Sequence, residues 1–193
     1  MPSGAKAKSE TDEKAGVHVA LLRGINVGGK NKLPMKDLVR LFEALDCHDV
    51  RTYIQSGNVV FHAKPALARR IGDLMAAAIR ERFGYQVPVV LRTAAELERA
   101  ATENPFLQTD ADPKTLHVAF LAARPHKSKV AGLDPKRSAG DSFVVKGQEI
   151  YLHCPNGMAR TKLTNHYFDR TLDTTSTLRN LRTVQKLVEL AAG

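Results

Sequence analysis

The chain has 193 residues, 43% hydrophobic and 25% charged; 29 Lys and Arg outnumber 20 Asp and Glu, for a formal net charge of +9 at pH 7. It holds no apolar run of about 18 residues, which excludes a membrane-spanning helix, and its length allows one domain or two small ones around a packed core. The positive surplus favours anionic partners, either a phosphorylated small molecule or a nucleic-acid backbone.

Residues 1–15, MPSGAKAKSETDEKA, are polar and aperiodic and lack the hydrophobic middle of a signal peptide. They predict a disordered tail on a cytoplasmic protein. Their three Lys and three acids cancel, so the surplus divides as +4 over residues 16–103 and +5 over 104–193. The run VHVALL (17–22) is apolar and too short for a helix, and it leads into Gly24, which predicts a buried strand. Pro34 suits a first helical turn, and Leu38, Leu41, Phe42 and Leu45 follow at helical spacing. RTYI (51–54) and NVVFHA (58–63) flank Gln55-Ser56-Gly57 and predict a hairpin. Pro65 opens a long helix with Leu67, Ile71, Leu74, Met75, Ala78, Ile79 and Phe83 on its inner face. VPVVLR (87–92) is a fourth strand, and Thr93 with Glu96 forms a capping box for a helix ending near Ala101.

This βαββαβ order, with its trailing helix, recurs. HVALL (18–22) returns as HVAFL (117–121), VVFH (59–62) as IYLH (150–153), and VLRT (90–93) as TLRN (177–180). Three echoes in one order predict an α+β fold of two tandem ferredoxin-like (βαββαβ) α/β-plait units made by internal duplication. The units span 16–103 and 104–193, and ENPFLQTDADPKT (103–115) reads as a linker. Val17, Val19 and Leu21, uniformly apolar, are expected under the helices. His18, Ala20 and Leu22 are expected to face the other unit across a groove. His18 and His117 read as structural. Cys47 and Cys154 stand alone, outside any metal-ligand spacing, and read as structural thiols; no metal or cofactor is implied.

LLRGINVGGKNK (21–32) contains the G-x-x-x-x-G-K spacing of a phosphate-binding loop, with Asn31 where Ser or Thr belongs. Pro34 would interrupt a helix running directly from Lys30, Asn31 cannot supply the magnesium-binding hydroxyl, and the ATPase reading fails. A glycine-rich basic loop survives. Arg23, Lys30 and Lys32 supply charge, Gly24, Gly28 and Gly29 allow close backbone approach, and Asn26 and Asn31 tolerate left-handed conformations. That chemistry suits a phosphate or carboxylate. Whether Gln55, Ser56 and Asn58 share the site is open at this level. Near the C-terminus, Lys162, Thr164, Asn165, Arg179, Asn180 and Thr183 offer donors at two helix starts. Lys162 and Arg179 are read as ligand contacts; the Asn and Thr residues are read chiefly as caps.

The segments ALLRGINVGGKNKLPM, TYIQSGNVVF, ENPF and TKLTNHYFDRTLDTTSTLRNLRTVQKL resemble the signature segments of the bacterial domain-of-unknown-function family 1697, in order, over about residues 17–190. The resemblance implies tandem ferredoxin-like halves and no particular activity. It marks Arg23, Gly24, Asn26, Gly28, Gly29, Lys32, Gln55, Ser56, Gly57 and Asn58, then Lys162, Thr164, Asn165, Thr177, Arg179, Asn180 and Thr183. Leu181 stands where relatives often carry Trp.

The functional expectation is binding of a phosphorylated or other anionic ligand by the opening loop and the C-terminal basic cluster. The central strands of the first repeat, HVALLR and NVVFHA, lack the paired aromatics of an RNA-recognition sheet, with Phe61 alone, leaving backbone contact as the nucleic-acid mode. An alternative is an enzyme acting on a small anion in the groove, for which His62, His153 and His166 are partnerless base candidates. A structural or protein-binding role is the third.

Overall fold

A computed structural model describes residues 14–193. The tail expected over 1–15 lies almost wholly outside the described residues. Eight strands and seven α-helices follow in order: β1 Gly16–Leu22, α1 Met35–Ala44, β2 His48–Tyr53, β3 Asn58–Ala63, α2 Pro65–Ala68, α3 Ile71–Phe83, β4 Val89–Thr93 and α4 Ala94–Thr102. The second half has β5 Leu116–Leu121, α5 Lys127–Ala131, β6 Ser142–Lys146, β7 Glu149–His153, α6 Asn165–Leu172, β8 Ser176–Asn180 and α7 Leu181–Ala192. They build two four-stranded antiparallel sheets, β2-β3-β1-β4 and β6-β7-β5-β8, the strand order of the ferredoxin-like plait repeated in tandem.

The registers tie the sequence echoes to space. His18 pairs with Phe61 and Thr93, while His117 pairs with Leu152 and Asn180. The three echoed strands of one half therefore overlie their counterparts with no slip, while β2 carries a bulge between His48 and Arg51 that β6 lacks. A slip of one residue in an echoed strand would have turned every apolar side chain to the wrong face.

Local chemistry accounts for the boundaries. Thr93 and Glu96 make the expected reciprocal capping box at the start of α4. The long helix opened by Pro65 is interrupted after Ala68 and resumes at Ile71, with Ile71, Met75 and Ile79 buried on its inner face. β2 ends at Tyr53 because Ile54 leaves the ladder with φ +49°. The 103–115 segment is ordered into two short 3-10 turns, capped by Asn104 and Asp112, and Phe106 packs into the core.

The expected assignment of sheet faces is reversed. Ala20 and Leu22 lie under α1 and α3 with Phe42, Phe61 and Met75, and Ala119 and Leu121 lie under α6 with Phe168. Small alanines there leave room for the aromatic rings. Val19 and Leu21 instead join Val118, Phe120 and Tyr151 in one cluster with Leu97 and Ala100 of α4 and Leu181, Val184 and Leu187 of α7. The trailing helices pack together and fill the space between the sheets. The strongly apolar faces thus form a shared core where an open groove was expected.

Candidate functional site

The opening loop is stitched by its own asparagines. Asn26 Nδ2 donates to the carbonyls of Leu33 and Gln55, each at 2.9 Å, and Asn26 Oδ1 accepts from the Leu33 amide at 2.8 Å. Asn31 Nδ2 donates to the Gly24 carbonyl at 2.8 Å. Both asparagines hold positive φ, +54° and +48°. The Gln55 contact joins the loop to the β2–β3 turn. Gly57 in that turn resists any side chain: at φ +75° an added Cβ would lie 2.6 Å from Leu22 Cβ. Helix α1 begins only at Met35, behind Pro34, so Gly28, Gly29 and Lys30 do not stand at a helix terminus. Gly28, Gly29, Lys30 and Lys32 project into solvent.

Two arginines clasp the halves reciprocally. Arg179 of β8 donates through Nε to Asn58 Oδ1 (2.5 Å), through one terminal nitrogen to Thr177 Oγ1 and the Leu178 carbonyl (both 2.8 Å), and through the other to the carbonyls of Leu22 (2.6 Å) and Ser56 (3.2 Å). A guanidinium has five N–H donors, and all five are spent on protein. Burial pushes its pKa down to about 10. Arg92 of β4 makes a corresponding set of four bonds, to Glu149 Oε1 (2.8 Å) and to the carbonyls of Leu91, Leu121 and Gln148. Leu121 corresponds to Leu22, Leu91 to Leu178 and Glu149 to Asn58 by the strand echoes.

Arg179 is therefore a structural clasp with no donor left for a ligand, which corrects its reading as a ligand contact. Sequence reasoning overlooks Arg92 altogether, although the VLRT/TLRN echo already sets it opposite Arg179.

Arg23 continues the network. Its NH1 donates to Asp169 Oδ2 (2.6 Å) and to the Ser176 carbonyl (2.8 Å). Asp169 Oδ1 accepts from the Ser176 amide and hydroxyl, and the hydroxyl also reaches Asn165 Oδ1 at 3.1 Å. The structure thus brings Arg23, Asn26, Gln55, Ser56, Asn58, Asn165 and Arg179 into one bonded region.

Lys162 and Asn180 stay apart from it. The Lys162 side chain is exposed, with only its amide held, by Ser138 Oγ. Asn180, although it follows Arg179 at the end of β8, turns its side chain elsewhere: it caps α7 through the Arg182 amide and donates to the Lys114 carbonyl. Thr164 caps α6 through the Tyr167 amide. Leu181, at the position often occupied by Trp, is fully buried in the shared core, so that position serves packing.

An open cavity of about 580 Å³ lies beside the loop, lined by Arg23, Gly24, Asn31 and the 86–88 segment on one side and by Asp73, Ala76, Ala77 and Arg80 of α3 on the other. NH1 of Arg23 faces Asp169, while Nε and NH2 make no protein hydrogen bond among the described residues. Arg80 is exposed and forms no ion pair among them.

The other candidates fall into the frame. His117 is buried, and its pKa is lowered by that burial. Cys47 and Cys154 are buried thiols, each pushed up to about 11 by desolvation. No side-chain hydrogen bond involves His62, His153 or His166 among the described residues. No group of three potential metal ligands occurs there, and no helix is long and apolar enough to cross a membrane.

Comparison with known proteins places this architecture. The family model described as a protein of unknown function (DUF1697) matches residues 16–151, and the chain belongs to that family. The structure is similar to that of a conserved bacterial protein, SP0830, from Streptococcus pneumoniae, with a TM-score of 0.62 at 20% identity, over 93% of this chain and 99% of that one. At that identity the likeness concerns the fold. No curated protein matches the chain.

Proposed function

We propose that this family member binds a compact anionic ligand, of the size of a phosphorylated metabolite or mononucleotide, in the cavity between the opening loop and α3. The observation that supports this reading is the placement of Arg23 and Arg80 around a space of about 580 Å³, with two Arg23 nitrogens unspent on protein. Cavities of a few hundred cubic ångströms suit such ligands. Asp169 fixes one edge of the Arg23 guanidinium and so lowers the entropy cost of presenting the other. Asp73, in the same lining, suits a hydroxyl or amino group of the ligand. Lys30 and Lys32 on the adjoining loop add a positive field that draws anions in.

Calorimetry with inorganic phosphate, mononucleotides and short single-stranded oligonucleotides tests the reading. A charge-assisted contact contributes about 1.5–3 kcal/mol, so Arg80→Ala should weaken binding about ten- to a hundredfold. Arg23→Ala should do the same while also lowering stability. A steep fall in affinity with salt would indicate a nucleic-acid backbone. Unchanged affinity in both variants, for every ligand that binds the parent protein, would end the reading.

A further inference from the structure

The pseudo-twofold relation between the halves breaks down just past the clasps. Arg23 follows β1, and its echo after β5 is Ala122. Their amides are equivalent, donating to the carbonyls of Pro88 and Thr175, which are themselves echoes. On one side Arg23 crosses to Asp169, and the pair is bound to both backbone groups of Ser176: the carboxylate takes the amide and the guanidinium takes the carbonyl. The echo of Ser176 is Val89. Around Val89 the corresponding space is a cavity of about 260 Å³, lined by Ala122 and Gly72 together with Arg69, Asp73 and Gln148.

The backbone of Val89 faces out of the sheet. Leu22, its partner in the register, donates its amide to the Gly57 carbonyl and gives its own carbonyl to Arg179. Leu22 and Val89 are therefore a non-hydrogen-bonded pair, and the Val89 amide and carbonyl point off the sheet edge. No side chain bonds either group among the described residues. The protein itself thus displays, at Ser176, which chemistry this backbone geometry accepts: a carboxylate and a cation side by side.

We infer that the cavity at Ala122 binds a small zwitterion of α-amino-acid size, its carboxylate toward the Val89 amide and Arg69 and its ammonium toward the Val89 carbonyl and Asp73. Arg69 and Asp73 form no ion pair with the protein among the described residues. Glu96, also in the lining, is held by Thr93. Arg92 commits Nε and NH2 across the interface and bonds the neighbouring Leu91 carbonyl through NH1. The site is separate from the anion cavity, although Asp73 borders both.

The test titrates the full chain with L-alanine, L-serine, L-glutamate and L-arginine, with acetate and methylammonium as single-charge controls, followed by calorimetry. Saturable one-to-one binding of at least one amino acid is expected, with the controls at least tenfold weaker. Ala122→Arg, whose side chain would enter the cavity as Arg23 enters its counterpart, should weaken that binding at least tenfold and leave phosphate binding unchanged. The second result separates failure here from failure of the anion reading. Should Ala122→Arg not fold, Arg69→Gln on the rim should give the tenfold loss. Absence of amino-acid binding to the parent protein, or parent-like affinity in the folded variant, overturns the inference.

Discussion

Replacing Arg179 by Met keeps an unbranched stem of similar reach and deletes the guanidinium. Five acceptors then lose their donor: the carbonyls of Leu22, Ser56 and Leu178, Asn58 Oδ1 and Thr177 Oγ1. At about 1 kcal/mol each, the loss is roughly 5 kcal/mol. All five acceptors are neutral, so removing a desolvated cation returns roughly 1–2 kcal/mol. The net destabilisation is about 3–4 kcal/mol, a large part of the 5–15 kcal/mol typical of a folded protein. For a chain of this length that corresponds to a fall in Tm of roughly 6–16 °C. The chain has no Trp, so far-UV circular dichroism during urea and thermal unfolding is the suitable assay. Arg179→Lys should be intermediate, because an ammonium has three donors and no fork. A loss below about 1 kcal/mol in Arg179→Met would refute the idea that this side chain joins the halves.

Arg92→Met should cost at least as much, because it strands the Glu149 carboxylate, whose side chain is only 19% exposed; adding Glu149→Gln should recover part of the loss in urea unfolding. Gly57→Ala should destabilise by about 3 kcal/mol, combining a left-handed backbone with a 2.6 Å clash, whereas Gly28→Ala, with nothing within 4 Å, should cost about 1 kcal/mol. Stability should fall as pH drops below about 6.5, because burial lowers the pKa of His117 and of His18, so the unfolded chain binds more protons than the folded one. Asn180 Nδ2 faces His117 Nε2 at 3.3 Å and would meet a second donor on protonation; His117→Gln should flatten that part of the pH profile. Purified protein should not hydrolyse ATP with magnesium, and turnover abolished by Lys30→Ala would overturn this reading of the loop.

The duplication was legible because three short echoes carry register information, and strand pairing admits no slip once both faces are buried. The burial of both faces is also what hid their assignment. An alternation of His, Ala and Leu looks half-wet in isolation, but Ala20 and Ala119 are small to admit Phe42, Phe61 and Phe168. Nothing in a single strand announces that α4 and α7 will fill the space over its other side. β6 is similarly quiet: SFVVK lies between Gly140 and Gly147, with alternate residues exposed. The site was legible in part. Asn26 reads as a residue suited to a left-handed loop and Arg179 as a ligand contact, with the place of Ser56 and Asn58 open; the structure joins all four in one bonded region. Their purpose did not follow from type, since an arginine that has spent every donor on carbonyls and one that awaits a phosphate are the same letter.

The two clasps also show which positions the mating of the halves constrains. A duplicated unit that must mate with its copy is constrained at every position the mating uses. Arg92 and Arg179 remain arginine, and Leu22 and Leu121 remain leucine, their carbonyls receiving the partner's guanidinium. Asn58 and Glu149 differ, yet both offer a side-chain oxygen to the same atom of the opposing arginine. The position just past the clasp is different. There one copy has Arg23 and an ion pair with Asp169, and the other has Ala122 and a cavity. The proposed amino-acid site lies at this divergence, where the two halves stop being alike.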